Sequence, residues 1–123
     1  MHELSITQDI LNIALQEAKN AHACKINKIS IVVGQASGIV PDSVQFCFDE
    51  MKKGSIANEA SLDFTIVPTQ VKCRRCQHVS SPKDIIWMCD KCGSGEVDII
   101  AGRELYLNSI EAEQEEAYEN RSS

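Results

Sequence analysis

Four cysteines in two matched pairs limit what this chain can fold into more than any other feature. Cys73 and Cys76, then Cys89 and Cys92, make two C-x2-C steps separated by twelve residues. Two intervening residues let one tight turn aim both sulfurs at a single point. Twelve between the pairs are enough for a short hairpin that brings the two turns together. This is the spacing of zinc ribbons, in which four thiolates close a tetrahedron around one ion. With every position filled by protein, no place is left for an activated water, so such an ion is structural and not catalytic. Four thiolates around Zn2+ carry a formal charge of −2, which Lys72, Arg74, Arg75 and Lys91 beside the ligands can offset. Gly93 after the second pair suits the backbone that such a turn needs, whereas Gln77 follows the first.

The same spacing serves an iron tetrathiolate in electron transfer, because ligand type does not by itself fix the metal. Ile85 and Trp87 are placed to pack over either ion. Two disulfides are the other use of four cysteines. They suit an oxidising compartment, and the opening residues of this chain have neither the basic nor the apolar stretch of a secretory leader. The expected location is the cytoplasm, where thiols stay reduced. Cys24 and Cys47 have no paired spacing and read as ordinary packed thiols.

The 123 residues allow one compact core and a small satellite. A charged share of 24% is ordinary, and no apolar run reaches the length of a membrane helix. The net charge is −6, and from Glu111 to Arg121 five glutamates face one arginine. No basic stripe runs along the chain, which argues against nucleic acid as its main partner.

Residues Ser5 to Ala23 have helical periodicity, with Leu4, Ile6, Ile10, Leu11, Ile13, Ala14, Leu15, Ala18 and Ala21 on one broad arc. Ser5 and Gln8 have the spacing of a capping box. His22 closes this helix near its free carbonyls. Ile26 to Val33 is a β-branched strand, and Gly34 to Gly38 a loop. A second helix starts at Pro41, has Lys52 and Lys53 at its negative end, and stops at Gly54. It directs Val44, Cys47, Phe48 and Met51 inward. Leu62, Phe64 and Ile66 alternate in a strand ended by Pro68. Periodicity is then lost until Leu105 and Leu107 alternate again over Glu104 to Ile110.

A strand there lacks neighbours of its own and must return to the first two. The expected fold is therefore mixed α/β (α+β), with two helices on a three-stranded sheet and the cysteine module inserted before the last strand. Residues 1–70 and 102–112 form the discontinuous domain, 71–101 the zinc ribbon, and 113–123 an acidic tail, frayed helix or disordered.

The N-terminus holds a second set of donors. An α-amine, the His2 imidazole and the amides beside them can wrap a metal in a nitrogen-rich plane, which suits Ni2+ or Cu2+ and not zinc. The first amides of a helix have no intrahelical partner, so a metal that replaces their protons breaks no helix bond. The helix dipole favours the resulting anions.

Met1-His2-Glu3-Leu4-Ser5 resembles the opening of the HypA/HybF family of hydrogenase-maturation nickel metallochaperones. Val33-Gly34, Val40, Phe46-Cys47-Phe48-Asp49, Gly54-Ser55 and both C-x2-C pairs extend the resemblance to about Glu111. It implies a nickel site made of the Met1 amine, the His2 imidazole and amide, and the Glu3 amide, and a structural zinc on Cys73, Cys76, Cys89 and Cys92. It also implies delivery of Ni2+ to a [NiFe]-hydrogenase large subunit in cooperation with the accessory GTPase HypB. No phosphate-binding G-x-x-x-x-G-K-[ST] loop is present, so nucleotide energy would come from that partner. In some relatives a histidine near the zinc module contributes to nickel binding, and His78 is the candidate here. The resemblance leaves monomer and homodimer both open.

The alternatives belong to other classes. A zinc-ribbon module for nucleic acid or protein would use Lys72, Arg74, Arg75, Lys83 and Lys91, set against Asp84 and Asp90. An electron carrier would hold iron in the thiolates. A hydrolase is the poorest match, since no nucleophile motif surrounds the Ser, His and acidic residues. A nickel chaperone, not an enzyme, accounts for both ends of the chain, and loss of zinc to protons or oxidants would then reshape the nickel end.

Overall fold

In a computed structural model the chain is described at residues 2–82 and 87–114, residue 2 by its backbone alone. The Met1 amine, the His2 imidazole, Lys83, Asp84, Ile85 and the tail from 115 to 123 lie outside the described residues.

The first helix, α1, runs His2–Asn20, three residues earlier at its start than the periodicity suggests. Ser5 is therefore inside the first turns and caps nothing, while Gln8 donates to the Asn12 side chain (3.0 Å). Its buried stripe is Thr7, Ile10, Leu11, Ala14 and Ala18, the i, i+3, i+4, i+7 pattern of a single facing surface. The arc is narrower than expected: Leu4 and Ile13 are exposed. His22 follows with φ 59, and its amide closes the turn on the Lys19 carbonyl (3.1 Å).

Strand β1 spans Ala23–Gly34, longer at both ends than its β-branched centre. Ile26, Ile29 and Ile31 are fully buried. The second helix, α2, is Pro41–Met51, with proline in its first turn and no side-chain cap at Val40. Val44 and Phe48 carry its core contacts, whereas Cys47 and Met51 are only half-buried. The two helices pack on each other. Strands β2 (Ser61–Val67) and, after the cysteine region, β6 (Leu105–Gln114) complete a sheet of order β2-β1-β6. This is the two-helix, three-stranded arrangement inferred from the alternation. One correction concerns the tail: Glu111 to Gln114 continue β6 and are neither helical nor frayed. Their side chains are exposed, so burial gives no reason for the strand. Lys28 supplies one, reaching Glu111 at 3.1 Å and Asp63 at 3.9 Å.

The cysteine region is itself a three-stranded antiparallel sheet, order β4-β3-β5, built from β3 (Gln70–Cys73), β4 (Val79–Ser80) and β5 (Val97–Ala101). Among the described residues the segment between the two knuckles pairs through β4 alone. The chain turns back at once after Cys76, placing Val71 opposite Ser80 and Lys72 opposite Val79. The second knuckle then leads into β5, where Val97 faces Cys73.

Contacts divide the chain into two compact units. The second comprises Val32–Ile39 and Ile66–Leu105, and the first the remaining described residues. The loop after β1 thus belongs with the cysteine sheet. Gln35 donates to the Val67 carbonyl (2.8 Å), and its side chain accepts from the Thr69 amide (3.0 Å). The Ala36 amide donates to the Gly102 carbonyl (2.6 Å). A Cβ at Gly34 would lie 2.1 Å from the Gly102 oxygen, and Gly102 itself has φ 111. Only glycine fits either place.

Candidate functional site

The four sulfurs predicted as ligands are brought together, all within 4.8 Å of one another. Cys73 is at the end of β3, so its place is set by the sheet. The Cys73 amide donates to the His78 carbonyl (2.9 Å), closing the first knuckle. Each knuckle is the same turn: the Gln77 amide donates to the Cys73 carbonyl (3.0 Å), and the Gly93 amide to the Cys89 carbonyl (2.8 Å). Both Gln77 (φ 67) and Gly93 (φ 76) adopt the left-handed conformation this requires. The first knuckle therefore places a non-glycine residue where glycine is favoured, at a cost of about 1 kcal/mol.

Across the knuckles Cys73 and Cys92 are 3.6 Å apart, and Cys76 and Cys89 are 3.5 Å apart. A disulfide would need about 2.05 Å, and all six cysteines are free. A tetrahedron with metal–sulfur bonds of about 2.3 Å has sulfur–sulfur edges of about 3.8 Å. The four thiols fit a divalent ion of that size.

Electrostatics points the same way. Donation from the Cys76 amide, joined by that of Arg75, holds the Cys73 thiol below its usual range. The Cys92 amide, with that of Lys91, brings Cys89 down to about 6. At Cys76 the His78 amide pulls downward, but the Cys89 sulfur and burial outweigh it and raise the thiol to about 11. At Cys92 the Ser94 amide is likewise outweighed by the Cys73 sulfur and burial. Each knuckle thus holds one thiol whose ionisation its neighbours favour and one whose ionisation they oppose. A dication removes that opposition, and the complete donor set is then a tetrathiolate. Cys73 and Cys89 are buried, whereas Cys76 and Cys92 face solvent.

Of the other sequence candidates, His78 is engaged through Nε2 with the Asp90 carboxylate (2.7 Å). Trp87 is half-buried. Cys24 is exposed, not packed, and its thiol lies 3.4 Å from the Glu113 carbonyl oxygen.

The N-terminal candidates sit at the start of α1. The helix begins at His2, which puts Glu3 in its first turn. The Thr7 hydroxyl donates back to the Glu3 carbonyl and fixes the turn from below. Glu3 and Leu4 line an open pocket of about 390 Å³ with Asp42, Ser43, Phe46 and Cys47 from the first turns of α2. Asp42 is a functional candidate that sequence reasoning passed over as a helix-dipole partner. Only the meeting of two helix starts places its carboxylate in the pocket that Glu3 lines.

Residues 1–112 match the family HypA, described as hydrogenase/urease nickel incorporation, metallochaperone. The chain is 38% identical to the hydrogenase maturation factor HypA of Dehalococcoides mccartyi, over 94% of this chain and 97% of that one. It is 40% identical to the Nostoc protein of the same name, over 93% and 97%. Among solved structures, the solution structure of the Ni metallochaperone HypA from Helicobacter pylori matches with a TM-score of 0.64 at 27% identity, covering 92% of this chain and 98% of that chain.

Proposed function

This chain belongs to the HypA family of nickel-incorporation metallochaperones, and from that premise we propose that it carries Ni2+ on its first residues while a structural Zn2+ holds its four-cysteine module together. As a maturation factor it is not an enzyme. The nickel donors are the Met1 amine, the His2 imidazole and amide, and the Glu3 amide. The observation that carries this reading is the match of residues 1–112, the N-terminus included, to a family of nickel-incorporation metallochaperones. Asp42, which lines a pocket together with Glu3, is a further candidate donor. Nickel there is cargo, and the pocket that Glu3 lines is open.

The zinc is assigned to Cys73, Cys76, Cys89 and Cys92, with residues 71–101 as the ribbon and residues 1–70 and 102–112 as the nickel domain. Bound Zn2+ supplies the cross-link between two turns that are otherwise tied mainly through strands and hydrogen bonds. The recipient is a [NiFe]-hydrogenase large subunit, the nucleotide-hydrolysing partner is the GTPase HypB, and the setting is the cytoplasm. Among the described residues no helix is long and apolar enough to cross a membrane.

The test is Ni2+ titration of untagged, zinc-replete protein beside His2→Ala and a variant with an N-terminal extension. Both changes should weaken nickel binding by at least about 100-fold, since losing a ligand costs more than losing its supporting partner, and both should leave zinc content unchanged. Equal nickel affinity in all three would place the cargo elsewhere. A purified protein coloured by iron would overturn the zinc assignment.

A further inference from the structure

The two knuckles are not held equally by the chain. Cys73 ends a paired strand, and the return strand β4 is registered against the same strand from Val79, the residue after His78. The first knuckle is thus a closed β-turn whose shape the sheet dictates. Among the described residues no strand leads directly into the second: Trp87 and Met88 enter in irregular conformation, and β5 begins only at Val97.

The chain leaving the second knuckle is tied to the first by the Arg74 amide, which donates to the Glu96 carbonyl (2.9 Å), and by the pairing of β5 with β3. The side-chain bonds of the second knuckle itself converge on Asp90. The Asp90 amide donates to the Ser80 hydroxyl oxygen (3.2 Å), and that hydroxyl donates to the Asp90 carboxylate (3.0 Å). The same carboxylate oxygen meets His78 Nε2 at 2.7 Å. Ser80 is only 4% exposed, so its hydroxyl has a fixed partner and is not free to turn to water. Its strand, β4, is fixed to β3 by pairing. Asp90 therefore grips both the strand that leaves the first knuckle and the histidine at the start of that return. It sits directly after Cys89 and two residues before Cys92, the two sulfurs whose separations from Cys76 and Cys73 are 3.5 and 3.6 Å.

We propose that Asp90 is a positioning residue of the metal centre: its hydrogen bonds to Ser80 and His78 set the second knuckle at the distance where four sulfurs close on one ion. The proposal rests on the reading of the cluster as a zinc site. It acts through geometry and not through charge. An asparagine at 90 keeps an acceptor oxygen for both the Ser80 hydroxyl and the His78 ring and should serve nearly as well. An alanine leaves the knuckle attached only through its backbone and the metal. Loss of a group that orients metal ligands typically costs about 10–100-fold in affinity.

The experiment compares wild type, Asp90→Asn, Asp90→Ala and Ser80→Ala as full-length proteins. Zinc affinity is read by competition with a chromophoric chelator, and the visible absorption of Co2+-substituted protein reports the shape of the thiolate tetrahedron. Circular dichroism at saturating zinc checks that each variant folds. The expected result is about 10–100-fold weaker zinc binding and a shifted Co2+ spectrum in Asp90→Ala, a smaller change of the same kind in Ser80→Ala, and near wild-type behaviour in Asp90→Asn. Wild-type affinity and spectrum in Asp90→Ala would overturn the proposal, as would Asp90→Asn failing as badly as alanine. A wild type that bound no zinc would sink the zinc reading itself, and that result is distinct from either.

Discussion

Around the four cysteines the chain supplies its donors as side chains on turns that strands and hydrogen bonds hold in place. At the start of α1 the proposed donors are the Met1 amine, the His2 imidazole and two backbone amides, and Glu3 lines an open pocket. Two sulfurs of the cluster are buried, and their neighbours' amides point at them before any metal is considered. The difference matches retention at one end and release at the other. A closed set of four soft ligands leaves no position through which an acceptor can begin exchange. An end built of amine, imidazole and amide nitrogens can surrender its ion one bond at a time. The family's task, incorporation of nickel, needs the second kind of site, and the first kind can hold the fold while the cargo leaves.

The sharpest way to break this contrast is Cys73→Ser, which removes the buried sulfur that the cysteine sheet positions. Bound zinc should be lost on desalting, and amide exchange should show β3, β4 and β5 opening, because binding energy at such a site is folding energy. Retained stoichiometric zinc would mean that the cluster is not the closed site described. The same variant reads the coupling between ends: unchanged nickel affinity and pH dependence would show that the two metals act separately.

A core change in the first unit should do the reverse. Phe48 is fully buried on α2, and Phe48→Ala should lower stability by about 3–5 kcal/mol in denaturant unfolding. Zinc content should not change. Zinc loss in parallel would show that the cysteine module depends on the helices, contrary to the comparison.

A smaller effect sharpens it further through protons. The Cys89 thiol, held down at about 6, is already ionised at pH 7, whereas Cys76 at about 11 must give up its proton to a metal. Zinc binding at pH 7 should therefore release fewer than four protons, measured by calorimetry in buffers of different ionisation enthalpy. The sign follows: a thiol whose value is depressed stays a ligand as pH falls and is lost only on passing through that value. Apparent zinc affinity should thus decline as pH drops towards 6 and decline more steeply below it. Release of all four protons at pH 7 would contradict the inequality between the thiols.

Much of this was legible in the residues, for reasons that also explain what was not. The spacing of Cys73, Cys76, Cys89 and Cys92 announced itself because a metal site is written in side chains. Strand β1 and the helices showed through Ile26, Ile29, Ile31, Val44 and Phe48, whose burial imposes a period. Strands β3 and β5 are short, and Lys72 and Asp98 interrupt their apolar residues, so a strand signal is swamped by the cysteine pattern. The continuation of β6 through Glu111 to Gln114 left no mark, because nothing there is buried. The apolar arc of α1 was read too wide, since Leu4 and Ile13 are apolar without being covered. The roles of Asp42 and Asp90 were invisible for a third reason: each depends on which distant element meets it, a helix start in one case and Ser80 on β4 in the other. An aspartate in isolation reads as surface charge.

X-ray absorption at both metal edges of protein loaded with one zinc and one nickel tests the central claim most directly. The account predicts a zinc spectrum fitted by sulfur neighbours and a nickel spectrum fitted by nitrogen and oxygen alone, unchanged at the zinc edge when His2→Ala removes the nickel. Sulfur in the nickel shell would contradict it, because the cargo would then share the cysteines that are assigned to holding the fold.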